Sequence, residues 1–221
     1  MSDELDDDGP VGITDHELAA LVDMNLTPAG RRALQAIGIA ELLDDERQLR
    51  AGQATLLVRD IAGLDADEIV AQGFAAAIGT MLTTAHDIVR LTVGSPEHPA
   101  GRTLLVASEV GAFLLDLTAL GVHAAQPFDT DADLLDIVRD VLDGLSGDAG
   151  EHGPLTAEVV RFPVAGADRA ASLLLHGPDA WALSGADATA ADDAWDAALD
   201  LLGLSDHEAA HAPRRAAPPR A

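Results

Sequence analysis

The chain contains no cysteine, no lysine and no tyrosine. Without cysteine there can be no disulfide bonds, thiol nucleophiles or cysteine-ligated metal sites. Because lysine is absent, all 13 basic residues are arginines, against 38 aspartates and glutamates, and the formal net charge is −25. Such a charge repels phosphate backbones and anionic lipid headgroups. We therefore expect neither a nucleic-acid partner nor binding to a membrane surface.

Long apolar runs are also missing. The most apolar stretch, near residues 74–82, contains Gly79 and is too short to span a bilayer. The first eight residues, Met-Ser-Asp-Glu-Leu-Asp-Asp-Asp, have neither the basic nor the apolar region of a signal peptide. These patterns predict a cytoplasmic protein without membrane insertion. The abundance of Ala, Asp and Arg is typical of a high-GC genome such as that of an actinobacterium, with a haloarchaeal origin as the alternative.

What the chain does contain is a recurring pattern in its second half. Residues 87–93 read Asp-Ile-Val-Arg-Leu-Thr-Val, and residues 158–164 read Glu-Val-Val-Arg-Phe-Pro-Val. Val160 follows Val89 by 71 positions, and the arginines that follow them keep the same offset. A recurrence in fixed order is typical of a duplicated supersecondary unit. The pattern predicts that Val89 and Val160 lie on matching faces of two equivalent strands.

Apolar and polar residues alternate within each copy, which indicates strands, and each copy ends in a segment with helical spacing. The short connections predict antiparallel pairing. We therefore predict an α+β fold in which two duplicated β-β-β-α units with pseudo-two-fold symmetry follow N-terminal helices, and the closing helices pack on one face. The predicted boundaries are a disordered acidic tail over 1–12, a helical region over 13–85, units over 86–145 and 155–205, a linker over 146–154, and a flexible tail over 206–221.

One string has the form of a catalytic motif. His207-Glu208-Ala-Ala-His211 matches HExxH, in which two imidazoles bind zinc and the glutamate acts as general base. A third ligand is normally downstream, but the ten residues that follow include no His, Asp or Glu. We therefore interpret the match as a chance occurrence and predict no metal, no cofactor and no catalytic residue. A zinc-dependent hydrolase that uses these three residues is the alternative.

A second string resembles the start of a calcium-binding loop. It places Asp129, Asp131 and Asp133 at alternate positions, but Leu134 stands where glycine is needed and Asp140 where glutamate is needed. Aspartates before a helix also cap its N-terminus and interact favourably with its dipole. The capping interpretation accounts for these residues better than a calcium site does.

Four large side chains invite a functional interpretation. Arg90 and Arg161 recur in the two copies, and we expect them to face solvent and pair with nearby aspartates. Trp181 and Trp195 lie on predicted inward faces and are expected in the core. The alternative is that they line a groove beside the closing helices and anchor a partner helix. Strand addition at an exposed sheet edge is a further way to bind a partner.

Duplicated antiparallel sheets, leading helices, strong acidity and the absence of cysteine together resemble the ESX (type VII) secretion-associated chaperones of the EspG type. The resemblance covers roughly residues 14–204 at the level of layout, and no residue of that family's substrate-binding surface is carried over. It implies a non-enzymatic adaptor that binds exported helical-hairpin proteins before their secretion. Besides the zinc hydrolase, an oligomeric scaffold is an alternative.

Overall fold

The computed structural model describes residues 10–95, 98–128, 134–177, 179–185, 187 and 189–204. The helices are α1 (Asp15–Asp23), α2 (Pro28–Ile37), α3 (Glu46–Val58), α4 (Gly73–Thr83), α5 (Leu134–His152) and α6 (Ala191–Leu202), with a 3-10 helix at Ala40–Asp44. The strands are β1 (Val11–Thr14), β2 (Ala62–Asp65), β3 (Glu68–Ala71), β4 (Ala85–Ser95), β5 (His98–Ser108), β6 (Gly111–Leu117), β7 (Val122–Phe128), β8 (Leu155–Arg161), β9 (Arg169–Gly177) and β10 (Ala180–Leu183).

Eight of these strands form one sheet in the order β1-β7-β6-β5-β4-β8-β9-β10, and every neighbouring pair is antiparallel. The remaining two, β2 and β3, form a separate hairpin. The prediction of a mixed α+β fold with a large antiparallel sheet is confirmed. None of the helices in the described ranges is long and apolar enough to cross a bilayer.

The sheet is apolar on both faces, which the sequence did not predict. Successive residues of a strand point to opposite faces. In β4, Ile88 belongs to a core shared with α1–α4, whereas Val89 and Leu91 belong to a core shared with α5 and α6. We call α1–α4 with the 3-10 helix the N-terminal layer, and α5 with α6 the C-terminal layer. The sheet therefore lies between two helical layers.

On one side of the β4–β8 pair β5 and β6 follow, and on the other side β9 and β10 follow, but β7 and β1 extend the first side only. The register, however, pairs Val89 with Arg161 and Arg90 with Val160. Val160 therefore faces the N-terminal layer, opposite to Val89, because an odd offset reverses every side chain. The predicted matching faces at an offset of 71 are wrong. The first copy also contains a strand that was not predicted, β7.

Two predicted boundaries differ from the structure. Helix α5 continues to His152, through most of the predicted linker 146–154. Glycine lowers helix stability by about 1 kcal/mol without ending a helix, and the first proline after Leu134 is Pro154. The predicted helical region 13–85 contains the β2–β3 hairpin, whose turn residues Ala66 and Asp67 have φ angles of 47° and 72°. The predicted tails lie outside the described residues except at 10–12.

Thr14 followed three residues later by Glu17 is a sequence pattern that predicts the start of a helix, and the structure confirms this start for α1. Thr14 Oγ1 accepts a hydrogen bond from Glu17 N at 3.2 Å, and Glu17 Oε2 accepts one from Thr14 N at 2.9 Å. This reciprocal arrangement satisfies two donors that the first helical turn leaves free. Thr27 caps α2 in a similar way through Gly30 N, and its hydroxyl donates to Thr83 O at 2.6 Å. These two caps fix the N-termini of α1 and α2, and the second ties α2 to the end of α4.

Candidate functional site

The two tryptophans lie in the core. Trp181 is 0% exposed and Trp195 is 6% exposed, and both belong to the core under the C-terminal layer. The guanidinium of Arg139 lies over the Trp181 ring at 4.6 Å from its centroid. It also bonds Asp143 and Asp192, at 3.0 and 2.9 Å. The prediction of core packing is confirmed, and the structure gives no accessible aromatic anchor at Trp181 or Trp195.

The recurring arginine of the second copy fastens the end of a helix. Arg161 Nε donates to Asp87 Oδ1 at 3.0 Å, and Nη1 donates to the carbonyl oxygens of Leu202 and Gly203 at 3.4 and 3.2 Å. Those carbonyls are at the C-terminus of α6, where a cation is favoured by the helix dipole. Pairing with an aspartate was predicted correctly, but the solvent-facing position was not, because this side chain is largely buried.

Arg90, the recurring arginine of the first copy, also bonds the end of a helix, on the opposite face of the sheet. Arg90 Nη1 donates to Ala36 O at 3.0 Å, near the C-terminus of α2. Its guanidinium lies 5.0 Å from the centroid of Phe162, which Arg32 approaches from 5.6 Å. Arg32 Nε also donates to Pro163 O at 3.0 Å. Both recurring arginines therefore hold a helix against the sheet.

A buried histidine–carboxylate pair joins α1 to the β6–β7 turn, and the sequence did not predict it. His123 is 3% exposed, and its Nε2 lies 2.7 Å from Asp15 Oδ1. Nδ1 accepts the backbone N–H of Thr118 at 3.1 Å, so Nε2 carries the proton that Asp15 accepts. One ring nitrogen thus binds the backbone of Thr118 and the other binds the Asp15 side chain. The pair acts as a structural tie.

The predicted metal-ligand strings fall outside the described part of the chain. This applies to His207, Glu208 and His211, and to the aspartates at 129, 131 and 133. Leu134 and Asp140, which follow the aspartate string, belong to α5. Among the described residues, no group of three or more His, Asp or Glu side chains is placed where it could hold a metal ion.

Both edges of the main sheet are obstructed. At β10, Trp181 N donates to Thr189 O at 3.3 Å, and Trp181 O accepts from Thr189 N at 2.8 Å. At β1, Gly12 O accepts from Arg59 Nη2 at 2.8 Å. A strand that added to either edge would displace these contacts. The predicted strand addition at the main sheet is therefore not supported.

A cleft of about 310 Å³ opens on the outer side of the N-terminal layer, between the C-terminal end of α1, one side of α4 and strand β3. Its apolar walls come from Leu21 and Met24 of α1 and from Ile69 and Ala71 of β3. The α4 wall is made of small residues, and a Cβ at Gly79 would lie 3.5 Å from the Leu21 Cβ, at ordinary van der Waals distance. Small side chains on α4 keep the cleft open.

The rim of the cleft combines carboxylates with exposed apolar groups. Glu68 is the ionisable residue among those that line it, and Asp65 and Asp67 extend the negative charge along the exposed hairpin tip. Val70, which also lines the cleft, is 45% exposed, and Leu64 on the paired strand is 69% exposed. A partly apolar interior beside the Glu68 carboxylate suits a ligand that combines apolar groups with positive charge.

The cleft was not predicted because residues 65–82 have apolar positions close to helical spacing. That spacing hides a hairpin whose turn contains neither glycine nor asparagine, the usual residues at positive φ. No protein-family model matches the sequence, and no curated protein matches it.

Proposed function

We propose that the protein is a non-enzymatic adaptor that binds client proteins through the cleft between α1, α4 and β3. The observation that carries this proposal is a cleft with mixed apolar and polar walls that includes the Glu68 carboxylate, in a chain of net charge −25. Apolar contacts supply most of the binding free energy at protein interfaces, and charges at the rim steer and select the partner. Clients with basic and apolar residues side by side match this surface.

Exposed apolar side chains continue the surface beyond the cleft. Leu26 is 46% exposed and follows Asn25, a lining residue, while Val70 and Leu64 project from opposite faces of the hairpin. Exposed apolar side chains among polar ones are typical of protein interaction sites. The charged remainder of the surface keeps such a protein from associating with itself.

Within this class, we propose a cytoplasmic chaperone similar to the EspG type, which holds exported helical-hairpin proteins before secretion. Leading helices, a large antiparallel sheet and a helix after each of the two strand groups β4–β7 and β8–β10 support this assignment. We further propose that the two halves arose by duplication, with the 71-residue offset adjusted by one position so that the strands face the same way.

The test is co-purification of the tagged protein from its native host, read by mass spectrometry. Ala76 lines the cleft and Ala77 is exposed on α4 outside it, so the same substitution at the two positions separates the cleft from the rest of the helix. Ala76→Trp should remove the client, and Ala77→Trp should retain it. Equal recovery with both variants would contradict the proposal, and stoichiometric zinc with turnover of a small molecule would support the hydrolase instead.

A further inference from the structure

The hydrogen-bond pattern of the β2–β3 hairpin fixes which backbone groups point into the cleft. Ala66 and Asp67 both have positive φ, as in a two-residue type I′ turn, so the flanking pair Asp65–Glu68 is hydrogen-bonded. Such pairs alternate along an antiparallel ladder. The bond from Gln72 N to the carbonyl oxygen of Ile61, at 2.9 Å, confirms the alternation at the far end of the hairpin.

The residues between these pairs direct their backbone groups outward. On β3 they are Ile69 and Ala71, which pair with Leu64 and Ala62 without hydrogen bonds across the hairpin. Within the described ranges, no hydrogen bond to the backbone N–H or C=O of Ile69 or Ala71 is formed from outside the hairpin. Both residues line the cleft and are half-buried. The β3 edge thus presents two donors and two acceptors to the cleft.

The side chains beside this edge define what could pair with it. Ile69 and Ala71 pack against the core of the N-terminal layer, so residues opposite them on an added strand would point toward Leu21 and Met24. A residue opposite Glu68 would project from the other face, next to that carboxylate. Apolar residues at alternate positions, with a basic residue opposite Glu68, complement this edge.

We propose that the β3 edge receives an extended segment of the client, which adds to the hairpin as a third strand with apolar residues facing the cleft and a basic residue facing Glu68. This inference rests on the proposed adaptor function and specifies how the cleft recognises its client. Strand addition uses main-chain hydrogen bonds for affinity and alternate side chains for selectivity. The adaptor therefore recognises an extended basic segment outside the client's helices.

A proline at position 69 tests the proposal without removing a hydrogen bond of the hairpin. Ile69→Pro removes an N–H that points into the cleft and makes no bond to β2, whereas Leu64→Pro removes the equivalent N–H on the opposite edge. The probe is a synthetic peptide of about eight residues that alternates valine with arginine, a length that covers a short strand. Ile69→Pro should weaken peptide binding about tenfold or more, and Leu64→Pro should change it less than about twofold.

Hydrogen exchange on the unaltered protein gives a second readout that does not depend on a proline variant. The amides of Ile69 and Ala71 should exchange fast in the free protein and slow down when the peptide is bound, while that of Val70 is protected in both states. Equal peptide affinity of the two proline variants, or unchanged exchange at Ile69 and Ala71, would overturn strand addition.

The outcomes also separate this inference from the adaptor function. A client that Ala76→Trp removes but Ile69→Pro retains would leave the adaptor in place and refute strand addition. The peptide could bind at Ile69 and Ala71 while the Ala76 and Ala77 variants recover the client equally. That result would refute client binding through the cleft but support strand addition at the β3 edge.

Discussion

Arg59 Nη1 donates to both carboxylate oxygens of Glu17, at 3.0 and 2.8 Å, and Nη2 of the same guanidinium donates to Gly12 O. Glu17 is completely buried and also accepts the Thr14 N–H. One arginine at the end of α3 therefore neutralises the buried acid of α1 and covers the edge of β1. The arrangement joins the end of α3 to β1 and α1, which lie more than 40 residues earlier in the sequence.

Replacement of Arg59 by methionine should destabilise the protein, because it leaves the Glu17 carboxylate buried without a cation. Loss of one partner from a fully buried pair costs 3–5 kcal/mol, but the Arg59 side chain is 38% exposed and water can partly replace it. We expect a decrease of about 2 kcal/mol in the free energy of unfolding, measured by urea denaturation.

The matched control is Arg50→Met in the same helix. Arg50 pairs with Glu46, but both side chains are mostly exposed, so the change should be below about 0.5 kcal/mol. Adding Glu17→Gln to the Arg59 variant should restore part of the loss. An Arg59 variant as stable as the Arg50 variant would show that the buried carboxylate does not depend on its partner.

Two glycine-to-alanine substitutions should have opposite effects. A Cβ at Gly52 in α3 would overlap the backbone carbonyl of His16 in α1, so Gly52→Ala should lower stability by about 2 kcal/mol. Gly144 in α5 is exposed with nothing within 4 Å of its Cβ position, and Gly144→Ala should raise stability by about 0.5–1 kcal/mol. Thermal unfolding of the two variants in parallel checks the signs, and the same sign in both would contradict the close approach of α1 and α3.

Tryptophan fluorescence should not respond to the client. The chain has two tryptophans and no tyrosine, and both tryptophans are buried under the C-terminal layer, with the sheet between them and the cleft. We expect emission typical of buried indole, little quenching by acrylamide, and no change in either when the cleft is occupied. A large shift on client binding would place the contact near α5 and α6.

Removal of the residues after Ser205 should leave the melting temperature nearly unchanged. The removed segment has almost no large apolar residue, whereas Leu204, which is 4% exposed, is retained. Truncation after Leu202 removes Leu204 and should lower the melting temperature by several degrees. Zinc that is bound stoichiometrically by the full chain and lost with the shorter deletion would instead favour the metal site at His207, Glu208 and His211.

Local signals in the sequence predicted local structure well. The capping pair Thr14 and Glu17 marks the start of α1, Pro28 stands at the start of α2, and the change of period at Asp87 marks a strand. Each of these depends on side chains a few positions apart, whose interactions are the same in any fold.

Features set by distant contacts were not predictable in this way. The cleft exists because β3, α1 and α4 meet, and the faces of β8 depend on its register against β4. The two recurring arginines show the same limit. Arg90 and Arg161 occupy the same position in the recurring sequence pattern. Arg90 bonds the end of α2, however, and Arg161 bonds the end of α6, on opposite faces of the sheet. The register of strand pairing decides which helix each arginine contacts, and no short segment of the sequence specifies that register.

The pairing of β1 with β7 has a consequence for how the protein is made. Val11 pairs with Ala125, so β1 cannot pair within the sheet until more than half of the chain has been synthesised. During that interval the apolar sides of α1–α4 lack part of the sheet that covers them, and exposed apolar surface of this kind promotes aggregation of nascent chains. The cleft belongs to that same layer. A polypeptide that ends before β7 therefore cannot form the β1–β7 pair, and this edge of the sheet is completed only after synthesis has passed Phe128.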